Sequence, residues 1–131
     1  MSDVRQYLLL VEDAQGVREF RLGQTLYALG RSEGCDVQLF SQTVSRRHAT
    51  LMRMPTPDGS KTYRLVDGDP NTGQPSANGT YVNGERVRSI NLANCDEIIF
   101  GSDVRARFFC LGDDNSAEWN AMVEAPTLGP D

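Results

Sequence analysis

The chain has no surplus of base, no metal-ligating cluster and no long apolar run, and each absence removes a class of function. Its 131 residues carry 18 acids against 13 bases, a net charge of -5. Nucleic-acid binding is built on an excess of Lys and Arg facing phosphates, so DNA and RNA are not expected partners. Cysteine is scarce: Cys35, Cys95 and Cys110 are odd in number and form no Cys-x-x-Cys pair. That pattern supports neither a disulfide framework nor a zinc site, and it leaves reduced, structural thiols with no metal or cofactor expected. The apolar stretch Tyr7–Val11 is far too short for a signal peptide or a membrane span, so the expectation is a soluble cytoplasmic protein with no membrane partner. There is one histidine, His48, and no internal repeat or low-complexity tract.

What is present is a rhythm of short strands. Apolar or alternating segments recur at Tyr7–Val11, Val17–Leu22, Leu26–Leu29, Val37–Phe40, Ala49–Met54, Tyr63–Val66, Thr80–Val82, Arg86–Ile90, Glu97–Phe100 and Arg105–Leu111. None sustains a helical period, so the pattern is all-β. Asp13-Ala14-Gln15-Gly16 reads as a hairpin loop, Asp58-Gly59 as a tight turn, and Asn83-Gly84 as a two-residue hairpin turn. Such spacing over most of a chain of one-domain size predicts two antiparallel sheets packed face to face, with binding residues gathered at one loop cluster. Two segments break the rhythm. Residues 67–75, Asp-Gly-Asp-Pro-Asn-Thr-Gly-Gln-Pro, read as a long exposed loop. After Leu111 come five acids and no base, with Trp119 and Met122 in a stretch that has at most one or two helical turns over Ser116–Val123. This end reads as an acidic flexible tail or one that docks loosely through Trp119 and Met122.

Four blocks carry chemistry: Gly30-Arg31, Ser45-Arg46-Arg47-His48, Ser76-Ala77-Asn78-Gly79-Thr80 and Asn83-Gly84. Arg31 follows a strand and a glycine, so its guanidinium either projects from a sandwich end toward a ligand or is a solvated strand end. A serine hydroxyl beside two guanidiniums suits an anion, each charge-assisted bond being worth about 1.5–3 kcal/mol. In an extended segment Arg46 and Arg47 would point to opposite sides, one at the ligand and one in solvent or along a groove. Ser45 with His48 invites a nucleophile-and-base reading, but no orienting acid and no glycine-framed nucleophile turn accompany them, so no catalytic residue is expected. Asn78 offers an acceptor and two donors, able to pair with an extended peptide backbone or to serve a turn. Asn83-Gly84 reads as a turn alone.

In this order, within an all-β chain, the blocks resemble the forkhead-associated (FHA) domain family over about residues 5–112. The resemblance implies a two-sheet β-sandwich of about eleven mostly antiparallel strands across residues 1–112, with 113–131 as the tail. It implies a signalling adaptor, not an enzyme, that docks phosphothreonine-containing proteins marked by Ser/Thr kinases. Arg31, Ser45 and Arg46 would hold the phosphate and Asn78 the peptide backbone, with Arg47 and Ser76 as accessory groups. Gly30, His48, Gly79, Thr80, Asn83 and Gly84 would support the loops. The chain departs from the family pattern at Ala77, where many members carry a hydroxyl, and in the long 67–75 loop, whose two aspartates would repel a phosphate or select basic partner residues. The alternative is a phosphate-independent interaction module on the same fold. Thr127, once phosphorylated, would give an intramolecular tail contact with Arg31 and Ser45.

Overall fold

The computed structural model describes residues 6–57 and 59–111. The first hairpin follows from its sequence: β1 (Gln6–Asp13) and β2 (Gly16–Leu22) pair from Tyr7↔Leu22 to Asp13↔Gly16. Ala14 and Gln15 form the loop, and Gly16 takes φ 99, a conformation that costs glycine little. β11 (Val104–Leu111) runs antiparallel to β1 along its other edge. β10 (Glu97–Phe100), β7 (Thr80–Val82) and β8 (Glu85–Arg86) complete a six-stranded sheet of order β2-β1-β11-β10-β7-β8. The second sheet contains β3 (Leu26–Gly30), β4 (Val37–Gln38), β5 (Ala49–Pro55), β6 (Lys61–Asp67) and β9 (Ser89–Asn91), in the order β4-β3-β5-β6-β9. The sandwich of eleven strands expected from the resemblance is therefore what forms. Among the described residues no helix is long and apolar enough to cross a membrane.

Two strand assignments differ from the expected ones. The Arg86–Ile90 segment is two strands on different sheets. Val87 donates its N–H to Thr80 O while the Arg88 carbonyl accepts from Asp67 N–H, so the chain changes sheet between them, with Val87 packed on the core. In Val37–Phe40 only the first two residues pair, and they pair parallel to β3. Beyond them, Leu39 is fully buried and the Phe40 N–H is taken by the Asp13 carboxylate. Asn83-Gly84 is the expected turn, with φ of 52 and 89. Of the Asp58-Gly59 turn, Gly59 (φ 89) donates to Thr56 O, whereas Asp58 lies outside the described residues.

The core lies between the sheets. Tyr7, Leu9 and Val11 face Leu29, Leu51, Tyr63 and Leu65, with Ile98, Phe100, Val104 and Phe108 completing it. Tyr63 and Phe108 sit edge to face at 6.2 Å, and Tyr7 and Tyr63 at 5.2 Å, an arrangement that suits the ring quadrupoles. The β1–β2 hairpin also fixes the start of the loop between β4 and β5. Asp13, its side chain fully buried, pairs with Arg18 at 2.7 Å and holds the Phe40 amide. The Arg18 guanidinium is stacked between Phe20 and Phe40, 5.3 and 5.1 Å from the ring centroids.

Candidate functional site

Gly30 ends β3 against the β4–β5 loop so closely that a Cβ would collide with the Arg46 carbonyl. Close approach lets the next residues extend the ladder. Arg31 N–H donates to Ser45 O at 3.0 Å, and Ser32 N–H to Arg46 O at 3.2 Å. The exposed Arg31 side chain is aimed by its Nε, which donates to Val44 O at 3.0 Å. Its two terminal nitrogens make no hydrogen bond among the described residues. Cys35 lies beneath, its thiol donating to Arg46 O at 3.2 Å; burial pushes that thiol up, which keeps it a donor.

Arg46 and Arg47 lie in a turn rather than an extended strand, so the alternation expected of an extended segment does not arise. Both exposed arginines line one open groove of ≈ 560 Å³, together with Ser45, Asp69, Gln74 and Ala77. Arg47 also borders a smaller recess beside Asp36 and Asp69. The Ser45 hydroxyl oxygen accepts from Ala77 N–H at 2.9 Å, which leaves its own proton for a further acceptor.

His48 is fully buried under this turn and edge-on to Phe100 at 5.8 Å. Its Nδ1 accepts from Ser45 N–H at 3.0 Å, so the proton sits on Nε2, which donates to Gly79 O at 2.7 Å. Burial drives its pKa below the ordinary histidine value, against the opposing pull of the Gly79 carbonyl and of Asp67. The ring bonds the amide of Ser45 and not its hydroxyl, so the two do not form a nucleophile–base pair. What His48 does is tie the Ser45 turn to Gly79 across the gap between the sheets.

On the facing loop, Asn78 Nδ2 donates to Thr43 O at 2.7 Å, which turns the exposed Oδ1 outward with no donor among the described residues. Thr43 is itself pinned. Its hydroxyl donates to Asp103 at 2.8 Å and accepts from Ser102 N–H at 3.2 Å. Gly79 has φ 94, and a Cβ there would meet Arg86 Nε at 2.9 Å. Ser76, expected as an accessory group, borders the groove but is only 4% exposed; its hydroxyl donates to Asp67 at 2.6 Å and accepts from Gly79 N–H at 2.9 Å. Thr80 donates to the same Asp67 oxygen at 2.6 Å. Burial alone would raise the Asp67 carboxyl, but bonds from the Ser76 hydroxyl, Thr80 hydroxyl and Ser76 amide outweigh it and hold it below the ordinary value.

Asp67 is thus an internal brace and not a charge facing the groove, which corrects the expectation for one of the two loop aspartates; the other, Asp69, does line the groove. Nor is the 67–75 loop a loose excursion. Gly68 (φ 85) donates to His48 O, a Cβ on it would strike the Gln74 carbonyl, and Asp69 pairs with Gln74. Asn83, by contrast, bonds Asp96 and Glu97 at the opposite edge of β7 and serves its turn. Sequence reasoning missed Asp67, Thr43 and Asp103 as supports, because their partners lie far away along the chain. The Thr127 and Trp119 proposals concern residues outside the described ones.

A protein-family model for the FHA domain matches residues 27–101, a span that includes every rim residue described above. The chain belongs to the FHA domain family. Within that family it is similar to glycogen accumulation regulator GarA of Mycobacterium tuberculosis, 40% identical over 82 residues that make up 63% of this chain and 44% of GarA. Its fold is similar to the crystal structure of the Slr1951 protein from Synechocystis sp., with a TM-score of 0.73 and 40% identity, covering 79% of this chain and 96% of that one. It is also similar to the yeast Dun1 FHA domain in complex with a doubly phosphorylated (pT) peptide, with a TM-score of 0.58 and 25% identity, covering 80% of this chain and 74% of that one. The chain spans between 18% and 49% of the length of the curated relatives it matches. FHA domains are binding modules, and the family match includes neither β1, β2 nor β11, which here complete the six-stranded sheet.

Proposed function

We propose that this FHA domain binds phosphothreonine-bearing segments of proteins modified by Ser/Thr kinases, acting as an adaptor and not as an enzyme. The observation that carries the reading is that the backbone anchors each of three rim side chains, two of them on the consecutive carbonyls of Thr43 and Val44. The Thr43 carbonyl fixes Asn78, the Val44 carbonyl fixes Arg31, and Ser45 is fixed by Ala77. Each side chain uses one bond on the backbone and keeps the rest for a ligand. The Arg31 fork and the Ser45 hydroxyl would take phosphate oxygens, Arg46 would add a charge from the groove, and Asn78 Oδ1 would accept from the peptide backbone. Arg47 is the accessory base. The likeness to the Dun1 domain, which is bound to a pT peptide, supports the same ligand class.

Three or four charge-assisted bonds of about 1.5–3 kcal/mol each give a gross attraction near 8 kcal/mol, the scale of a micromolar Kd before ordering costs. A threonine methyl adds only about 0.8 kcal/mol by burial, so further preference over phosphoserine must come from shape. Asp69 in the groove and the absence of a hydroxyl at Ala77 favour the competing reading, a phosphate-independent interaction surface. Fluorescence anisotropy against degenerate phosphothreonine, phosphoserine and unphosphorylated peptides separates the two. Micromolar binding that requires the phosphate and disappears in Arg31→Ala is expected; binding indifferent to both would overturn the phosphate reading.

A further inference from the structure

Tyr7, Leu9 and Val11 of β1 face the core, as do Ala106 and Phe108 of β11. Strand alternation sends Leu8, Leu10, Phe109 and Leu111 to the opposite face of the six-stranded sheet, where they cluster with Cys95. The outer face of such a sheet is ordinarily polar and wet. Here Leu8 has no solvent exposure, Leu111 has 3% and Phe109 has 8%. The five-stranded sheet lies on the other side, so no described strand packs over this cluster.

We propose that residues 112–131 of this same chain dock on the outer face, with Trp119, Met122 and Val123 over Leu8, Leu10, Phe109 and Leu111. β11 ends at Leu111, inside the patch, so the following residues start at its border. Trp119, Met122 and Val123 stand at i, i+3 and i+4 in the sequence, a spacing that would gather them on one side of a helical turn, while Glu118, Asn120 and Glu124 fall between and beside them. The eight bonds from Leu111 to Trp119 span up to about 26 Å, ample to return across two or three strands about 4.8 Å apart. Apolar contact carries the docking. The exposed Arg105 and Arg107 on this face already stand opposite Glu12 and Glu97, so the acids of the tail add only a border attraction. Covalent tethering favours the tail over a second copy, because a short linker presents its ligand at an effective concentration of order mM. Pairing of Gln6 with Leu111 puts the patch at the end of the sheet away from the Gly101–Asp103 turn that meets Thr43, so docking leaves the peptide groove open.

Trp119 is the only tryptophan, which makes the full chain its own reporter. Its emission is expected to be blue-shifted from that of N-acetyltryptophanamide, with acrylamide quenching several-fold weaker. Leu10→Glu, on the half-buried border of the patch, should return both to water-like values with the strand signal in circular dichroism unchanged. Should that variant fail to fold, Met122→Glu, outside the sandwich, must produce the same change. Water-like emission from the full chain would overturn the proposal, as would a blue shift that survives Met122→Glu or one that fades on dilution, which would mean a second copy.

Discussion

At Asp67 one half-buried carboxylate collects the Ser76 hydroxyl, the Ser76 amide and the Thr80 hydroxyl, and through Ser76 it sets the Gly79 amide. Asp67→Ala would strand three donors at once. The expected cost is about 2–4 kcal/mol, seen as a lowered midpoint in urea, with weaker phosphopeptide binding because Asn78 and Ala77 lose their frame. Asp67 does not touch the groove, so an unchanged midpoint with lost binding would show that its role had been misassigned. Arg31, Ser45 and Asn78 were legible from the sequence because a glycine, a hydroxyl or an amide at the break of a strand pattern announces a loop with polar business. Asp67 was not: its partners are nine and thirteen residues ahead, brought together only by the β6–β7 connection. Nor was the engagement of the Ser76 hydroxyl with Asp67 legible, since nothing local distinguishes a hydroxyl facing a ligand from one held by a carboxylate.

Elements legible in the sequence were those with local cause. The β1–β2 and β7–β8 hairpins follow from Gly16 and Asn83-Gly84, and the long alternating β11 from its own pattern. The split between β8 and β9 was hidden because a chain that changes sheet keeps its apolar content while the partner strands change. Arg46 and Arg47 do not point to opposite sides, because alternation holds only in extended backbone and these residues turn, yet Arg47 lines the groove, one of the two places expected for it. The β4–β5 loop, which carries Ser45 and Arg46, is held from outside, by Asp13 at Phe40 and by Asp103 at Thr43. Removing the buried member of an ion pair leaves its partner unmatched, so Asp13→Ala is expected to cost about 3 kcal/mol. It should also weaken phosphopeptide binding through loosening of the loop, although no atom of Asp13 belongs to the rim. Hydrogen exchange at Phe40 and Val44 checks this, with faster exchange there than in β1 as the expected result.

Across the whole molecule, stability and site geometry share one pH dependence. His48 is neutral when folded and its pKa lies below the unfolded value of 6.5, so its contribution is complete above that pH. It is lost as pH falls from there toward the folded value, with a slope of at most about 1.4 kcal/mol per pH unit. Asp67, held below 3.8, contributes above that value and is lost only as pH falls through its own lower folded value. Urea midpoints should therefore begin to fall as pH drops below about 6.5, well above the range in which the Asp67 contribution is lost. Protonating His48 puts a second donor against the Ser45 amide, so phosphopeptide affinity should decline over the same range; a flat midpoint there would rule the coupling out.

The most direct test of the central claim is a two-dimensional amide NMR titration of the full chain with a phosphothreonine peptide and its unphosphorylated twin. Shifts confined to the Arg31 Nε–H, the Ser45 and Ala77 amides and the Asn78 side-chain NH2, seen only with the phosphopeptide, are predicted. Shifts centred elsewhere, or the same response to both peptides, would contradict it.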